Sequence, residues 1–503
     1  MKTTRKSLSL MIVIFSLFVL TNCSEKIEDG GLRIGWAIED ITPDGPASLA
    51  GQYYERISEY VQSPLKATAM AIESVDENGN TEQAIMVSLD LVNTKKLLQT
   101  ELRDRVKEQL EDFDVKNLFI NVTHTHSAPD HRNEEYRPFL LDQLTKVVIS
   151  AWENRKPAAV SNALGYAVVG HSRRVMYSDG TTEMYGLTSR EDFIGMEGPS
   201  DPGVDMLFCW DLNKNLTGIV MNVSCPAQVT EAKYYISSDY WSEVRKQVKN
   251  KYGEDIYVLP QIGAAGDISP RDLPRGYKAG EPNMWDVEGI VEIGKRLIHV
   301  VDQAYPDAKM SIQSDVTFKH LVEDIELPAR IITEKEYKDA LAMVNEIMSR
   351  EPDDPESPET AWNRFLKEIE ENEKIKEYGP WDDKESDFGW LRPCQSIVSR
   401  YEKQTKEQTY CDVELHVLRL GDVVFANNPF ELYVDYGFMI TGRSPASQTF
   451  LIQLSGDAMS YLPTQRAVQG GGYSAMLTTV GPEGGKELVE KTLELINEAW
   501  SEK

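Results

Sequence analysis

Leu118-Phe-Ile-Asn121-Val-Thr-His124-Thr-His126-Ser-Ala-Pro129 joins an apolar run to two of the chain's seven histidines. The run predicts a short buried strand. Side chains along a strand repeat every second residue, so the spacing sends His124 and His126 to one side of its end. Two imidazoles converging there can hold a metal ion, or divide metal binding and proton transfer between them. Two histidines in an ordinary surface loop share that spacing, so the choice falls to the rest of the chain.

Outward from this segment the pattern is mixed α/β. Strand-like apolar runs lie at 84–91, 117–122, 216–223, 255–259, 413–420 and 423–426. Segments of helical period lie between several of them, at 94–113, 137–154, 240–251 and 287–304, and a further one closes the chain at 485–501. Strands alternating with helices predict a layered mixed sheet with flanking helices. Residues 333–380 differ: charge-dense, helical in period and broken by Glu351-Pro-Asp-Asp-Pro-Glu-Ser-Pro, they read as a solvated helical insertion. No internal repeat is visible.

The first 22 residues read as a signal peptide, with Lys2, Arg5 and Lys6 ahead of an apolar run from Leu8 to Leu20. Leu20-Thr-Asn-Cys23 resembles a bacterial lipoprotein cleavage site, although Asn22 is bulkier than the small residue usual there. The expectation is a lipid anchor at Cys23, an acidic tether over 23–31, and a body over 32–503 held at the cell envelope, at the outer membrane by the acidity of the tether. A net charge of −28 opposes nucleic-acid binding, which needs Lys and Arg against phosphates. Cys209, Cys225, Cys394 and Cys411 form no CxxC pair, so a cysteine zinc site is not expected, while a Cys394–Cys411 disulfide is open.

Three further segments carry candidate chemistry. Gly263-Ala-Ala-Gly-Asp267-Ile-Ser269-Pro270 follows a strand and has the glycines of a tight turn that presents a serine. Asn427-Asn-Pro429-Phe-Glu431 sets an acid at a strand-to-helix junction, where it can ligate a metal or cap the helix. Tyr461-Leu-Pro-Thr464 and Gly470-Gly-Gly-Tyr473 put two tyrosines in a glycine-rich loop.

Taken in order, these segments resemble the neutral/alkaline, non-lysosomal ceramidase family. The resemblance begins at Ile34-Gly-Trp-Ala-Ile-Glu-Asp-Ile-Thr42-Pro and runs through His124-Thr-His126-Ser-Ala-Pro129, His171-Ser-Arg173-Arg174 and Ser237-Ser-Asp239-Tyr240. It continues at Gly266-Asp267-Ile-Ser269-Pro270, Pro429-Phe-Glu431, Tyr461-Leu-Pro-Thr464 and Gly472-Tyr473. It implies a zinc-dependent amidase that splits N-acyl sphingosine into fatty acid and sphingosine. It further implies His124, Glu431 and Tyr461 as zinc ligands, Ser269 as nucleophile, and His126, Arg173 and Tyr473 as polar residues around the reacting carbonyl. The family's second zinc histidine falls at Pro226 in Asn222-Val-Ser-Cys225-Pro226-Ala-Gln228, and proline offers no ligand. Cys225 and Gln228 are the two substitutes within reach. Longer members carry a C-terminal β-sandwich domain, whereas this sequence stops at Lys503. Two other readings stay open: the same scaffold acting on a glycan or another extracytoplasmic nutrient, and a non-catalytic lipoprotein that binds ligand at its surface.

Overall fold

In the computed structural model, residues 26–501 are described, apart from 76–78, 277, 279, 372–386 and 406. The residues read as signal peptide, as anchor at Cys23 and as the start of the tether, and 372–380 of the segment read as an insertion, lie outside the described residues. None of the described helices is long and apolar enough to cross a membrane.

Eight strands form the main sheet: β1 (Leu32–Asp40), β2 (Lys66–Val75), β3 (Thr81–Leu89), β4 (Leu118–Val122), β5 (Lys156–Tyr166), β6 (Gly203–Asp211), β7 (Leu216–Val223) and β8 (Tyr257–Ile262). They pair in the order β8-β7-β6-β5-β1-β2-β3-β4, antiparallel except at the two edges, where β3–β4 and β7–β8 are parallel. Each parallel pair needs a crossover, provided by α1 (Lys96–Lys107) and α3 (Tyr240–Tyr252), and each edge strand leads to a longer helix, α2 (Tyr136–Glu153) or α4 (Val287–Met310). A second sheet repeats this order: β9 (Phe318–Pro328), β10 (Tyr410–Leu420), β11 (Val423–Asn427) and a parallel β12 (Gln448–Ile452). Its crossover is α8 (Val434–Thr441) and its closing helix α9 (Pro482–Trp500).

The chain is therefore three copies of one unit: three antiparallel strands, a crossover helix, a parallel strand and a helix. The sequence shows no such repeat because the copies share topology and not residues. The differences between units are concentrated between first and second strands, where 25 residues (41–65), 36 residues (167–202) and 81 residues (329–409) intervene. The longest of these holds α5 (Glu334–Met348), α6 (Ala361–Glu371) and α7 (Asp387–Lys403); α5 and α6 fall in the 333–380 segment read as helical in period, and α7 lies beyond it.

Burial alternates along the strands and divides the body into layers. Ile85, Val87 and Leu89 of β3 face α1 and α2, whereas Ala84 and Met86 face the second sheet. Val204, Met206 and Phe208 of β6 meet α3 and α4 in the same way. Phe318, Phe425 and Phe450 of the second sheet fill the space between sheets, and α9 covers its far side. The main sheet curls until its edges meet. Ser88 and Asn121 side chains donate to the Pro260 carbonyl at 2.6 and 3.0 Å, joining β3 and β4 to β8. Beyond β12, the Gln453 amide donates to Ile262 and the Gly456 amide to Ile120. The carboxyl ends of all three parallel strands thus converge, and loops leaving them share one volume.

Candidate active site

The strand at Leu118–Val122 stops before the histidines, so strand alternation does not bring them together. His124 instead takes a left-handed conformation, φ 58°. That turn swings its ring to within 4.9 Å, centroid to centroid, of the His126 ring, with the two Nε2 atoms 3.4 Å apart. A non-glycine residue in this conformation is strained and persists only where its surroundings enforce it. The ring is fixed by a short hydrogen bond from Nδ1 to the Val92 carbonyl. A carbonyl only accepts, so Nδ1 carries a proton, and Nε2 faces Glu431, 3.7 Å away.

Glu431 and Tyr461 are register partners in a short parallel pair, Glu431–Leu432 against Tyr461–Leu462. The Tyr461 hydroxyl lies 3.4 Å from that of Tyr473. Burial, then Glu431, holds the Tyr461 phenol well above its ordinary pKa. Gly266 is needed for this approach, because a Cβ there would meet the Glu431 carbonyl oxygen at 2.3 Å. Arg173 donates to the Gly266 carbonyl at 2.9 Å and to the Tyr185 hydroxyl at 3.1 Å, and its Nη2 is 3.7 Å from Glu431. Burial opposes its charge, but Tyr185, Tyr473, Tyr461 and Glu431 together push its pKa well up, so Arg173 is a fixed cation. Arg174, next in sequence, points the other way: it is paired with Glu197 at 2.6 Å and holds the 467–474 loop that carries Tyr473.

Ser269 lies in a two-residue strand paired with His171–Ser172, with His171 its register partner. The turn before it exists, but Ser269 is fully buried and not raised to solvent. Its hydroxyl accepts from the Arg271 amide at 3.3 Å and lies beside Tyr185. Asp267 of the same loop accepts from the Val434 amide, the first of α8, which ties the Ser269 loop to the Glu431 loop.

Of the two candidates for the missing ligand, only Gln228 reaches the site. Its amide nitrogen is 2.6 Å from His126 Nε2, and its Oε1 is buried without a hydrogen-bond partner. Cys225 packs among Val223, Ala227 and Tyr240 in the core under α3 and α4, and burial pushes its thiol well up. The loop bearing Gln228 is anchored by Asp239, which accepts from the Thr230 amide and hydroxyl and caps α3. Cys209, Cys225, Cys394 and Cys411 are all unpaired.

Several site residues carry no sequence motif. Glu231 is buried, 3.5 Å from His126 Nδ1 and 2.8 Å from Arg271. Burial raises its pKa against the opposing pull of Arg271, Arg173 and Arg56. Arg271 lies over the Trp285 ring at 3.8 Å. Arg56 donates to the His126 carbonyl at 2.6 Å, and Gln52 reaches His126 Nδ1 at 3.5 Å. Burial, then His124 and the three arginines, holds His126 well below its ordinary pKa, so the ring is neutral at pH 7. Only the position of Arg271, two residues beyond Ser269, and of Glu231, three beyond Gln228, hinted at their roles.

Among the described residues no three His, Cys, Asp or Glu side chains cluster closely enough to hold a metal by themselves. His124 and Glu431, 3.7 Å apart, are two groups of that kind.

No protein-family model matches the sequence, and no curated protein matches it. Its fold, however, has solved counterparts. The neutral ceramidase of Pseudomonas aeruginosa superposes over 94% of this chain and 75% of its own, with TM-score 0.67 and 17% identity. The chain has the neutral ceramidase fold. A ceramidase structure determined in complex with C2 matches similarly, over 93% of this chain and 75% of its own, with TM-score 0.65 and 16% identity. The three-unit architecture and the converging strand ends described above are thus features of a neutral ceramidase fold.

Proposed function

We propose that the protein is a hydrolase that cleaves the amide bond of an N-acyl compound, in the manner of neutral ceramidase, with N-acyl sphingosine as the first substrate to try. The observation that supports it best is the meeting of His124, His126, Arg173, Glu431, Tyr461 and Tyr473 in one partly buried cluster of a neutral ceramidase fold, with Ser269 linked to Arg173 through Tyr185. In this reading Ser269 provides the attacking hydroxyl. His126, neutral at pH 7, accepts a proton and returns it to the leaving amine. Arg173, permanently charged, and Tyr473 donate to the developing oxyanion. Tyr185 orients the Ser269 hydroxyl, and Glu231 orients His126 through Nδ1.

The donor set fits one divalent metal, with zinc the expected ion. His124 Nε2, Glu431, the Tyr461 hydroxyl and the unpartnered Gln228 Oε1 would hold it. The hydrogen bond from His124 Nδ1 to Val92 is the outer support that ligating histidines usually have. When bound, such an ion polarises a carbonyl and acidifies a nearby hydroxyl.

A second reading keeps the amidase and exchanges the lipid for an N-acylated sugar. Its one support is the mixed lining of a cavity of about 780 Å³ beside Tyr54, where Tyr60, Tyr234, Tyr235, Glu59 and Asp286 stand with Val287, Leu366 and Ile369, and none of the reacting residues lines that cavity. The test is fatty-acid release from a short-chain N-acyl sphingosine, with Ser269→Ala as control. Release that falls by about a thousandfold or more in the variant is the expected result. Absence of release by the folded, metal-loaded protein would remove the lipid reading, and equal rates in both proteins would remove Ser269 as nucleophile.

A further inference from the structure

The segments between first and second strands do the same work in the first two units. In the first unit that segment brings Gln52 and Arg56 to His126; in the second it brings Arg173 and Tyr185 to Glu431 and Ser269. The third unit's segment is the helical insertion, which the charge pattern marks as solvated scaffold. Its inner face is not solvated. Helix α7 presents Phe388 and Arg392, one turn apart, to Tyr53: the rings of Phe388 and Tyr53 meet edge to face at 6.5 Å, and Arg392 lies 5.5 Å from the Tyr53 ring. Phe365 and Ile369 of α6 pack on Tyr54. A second face of α7, with Trp390, Cys394 and Ile397, packs with Ala340 and Met343 of α5 against Met476. Met476 closes the short helix that Tyr473 begins.

One helix therefore touches both rims of the site. On one side the link is four residues long. Gly51, at φ 99°, lies so close to His126 that a Cβ would meet the ring at 2.5 Å; Gln52 reaches the same ring; Tyr53 and Tyr54 hold the insertion. Tyr53 is 38% exposed and directly follows Gln52, so it lies at the rim of the site, held from the α7 side, with part of its surface open.

We propose that α7 is the selectivity wall of this site and that Tyr53, held by Phe388 and Arg392, is the residue through which it contacts the substrate beyond the scissile bond. The proposal rests on the amidase reading for its kinetic test but not for its physical one. In the physical test, amide hydrogen exchange over residues 51–56 and 461–476 is compared in the full chain, Phe388→Ala and Arg392→Gln, with the surface variant Glu490→Gln as control. Faster exchange over 51–56 in the two α7 variants, and not in the control, is expected. Unchanged exchange in both would overturn the proposal.

In the kinetic test, Tyr53→Ala changes the ratio of kcat/KM for long-chain over short-chain N-acyl sphingosine by about tenfold, through KM, and Tyr53→Phe restores it. A ratio that stays constant, or a loss confined to kcat, would contradict the assignment of Tyr53. If the unaltered protein turns over neither lipid, the amidase reading fails and the exchange result alone decides the role of α7.

Discussion

Among the described residues two histidine pairs lie in ring contact, and their differences separate the proposed site from a structural cluster. His320 and His416 sit inside strands β9 and β10, with Nε2 of one 3.1 Å from Nδ1 of the other. Every ring nitrogen of that pair is occupied: His320 Nδ1 by the Gln83 carbonyl, His416 Nε2 by Glu414 at 3.0 Å. Arg103 of α1 grips Glu414 through both terminal nitrogens, and the Phe119 ring packs on His416. The network binds the first unit to the third and leaves nothing for a ligand. His124 and His126, by contrast, lie on a strained loop beyond a strand end, at carboxylate distances of 3.5 to 3.7 Å. Buried atoms around them, Gln228 Oε1 and Arg173 Nε, have no hydrogen-bond partner. Satisfied polar clusters fix a fold, whereas incomplete ones among buried charges await something.

The sharpest way to break this contrast is to exchange the phenotypes. His124→Ala should lower turnover by about a thousandfold, as removal of a group at the reacting centre does, with a thermal midpoint little changed. His416→Ala should do the reverse. It leaves a buried Glu414–Arg103 pair short of a hydrogen bond and opens a cavity, at a cost of about 2–4 kcal/mol, while activity per folded molecule is kept. Thermal melts and rates on the same preparations test both at once. If His416→Ala is stable and inactive, the contrast is wrong.

A smaller effect separates Gln228 from Cys225. Gln228→Ala should weaken metal affinity by about 10–100-fold. Cys225→Ala should leave affinity alone and lower the denaturant midpoint, since it removes a sulfur from the core. Equal metal affinity in Gln228→Ala and the unaltered protein would return the fourth ligand to question.

The smallest effect is on acid stability. Burial, then His416, pushes His320 down from 6.5 to about 3. The unfolded chain therefore binds a proton that the folded chain refuses. The stability contributed by neutral His320 is full above pH 6.5 and is lost as pH falls toward about 3. Urea midpoints at pH 7.5 and 5 should show this decline, and His320→Gln should make it shallower; an equal decline in the variant would assign it elsewhere.

Much of the fold was legible where one period dominates. The strands at Leu118–Val122, Leu216–Val223 and Tyr410–Leu420 and the helices at Tyr136–Glu153, Tyr240–Tyr252 and Pro482–Trp500 fall close to where apolar periodicity puts them. Strand Lys66–Val75 was not, because Ala67, Ala69 and Ala71 face helices while Met70 and Ile72 face the second sheet, and burial on both sides erases alternation. Strand Phe318–Pro328 was hidden for the opposite reason: Glu323, Asp324 and Glu326 are exposed and read as loop. At the site, the segments bearing His124, Ser269, Glu431 and Tyr461 stood out by composition. Glu231, Arg271 and Tyr185 did not, since an isolated charged or aromatic residue acquires meaning only when strand ends far apart in sequence converge. The 333–380 segment was legible as helical in period, but α7 was not, because Gly389 and Pro393 interrupt the helical pattern over 387–403.

In the proposed function, chemistry belongs to the His124 pair and architecture to the His416 pair. Bound zinc per folded protein, measured in His124→Ala and His416→Ala side by side with the unaltered chain, distinguishes the two roles. Close to one ion is expected in the unaltered protein and in His416→Ala, and almost none in His124→Ala. Full occupancy in folded His124→Ala, or loss confined to His416→Ala, would contradict that assignment.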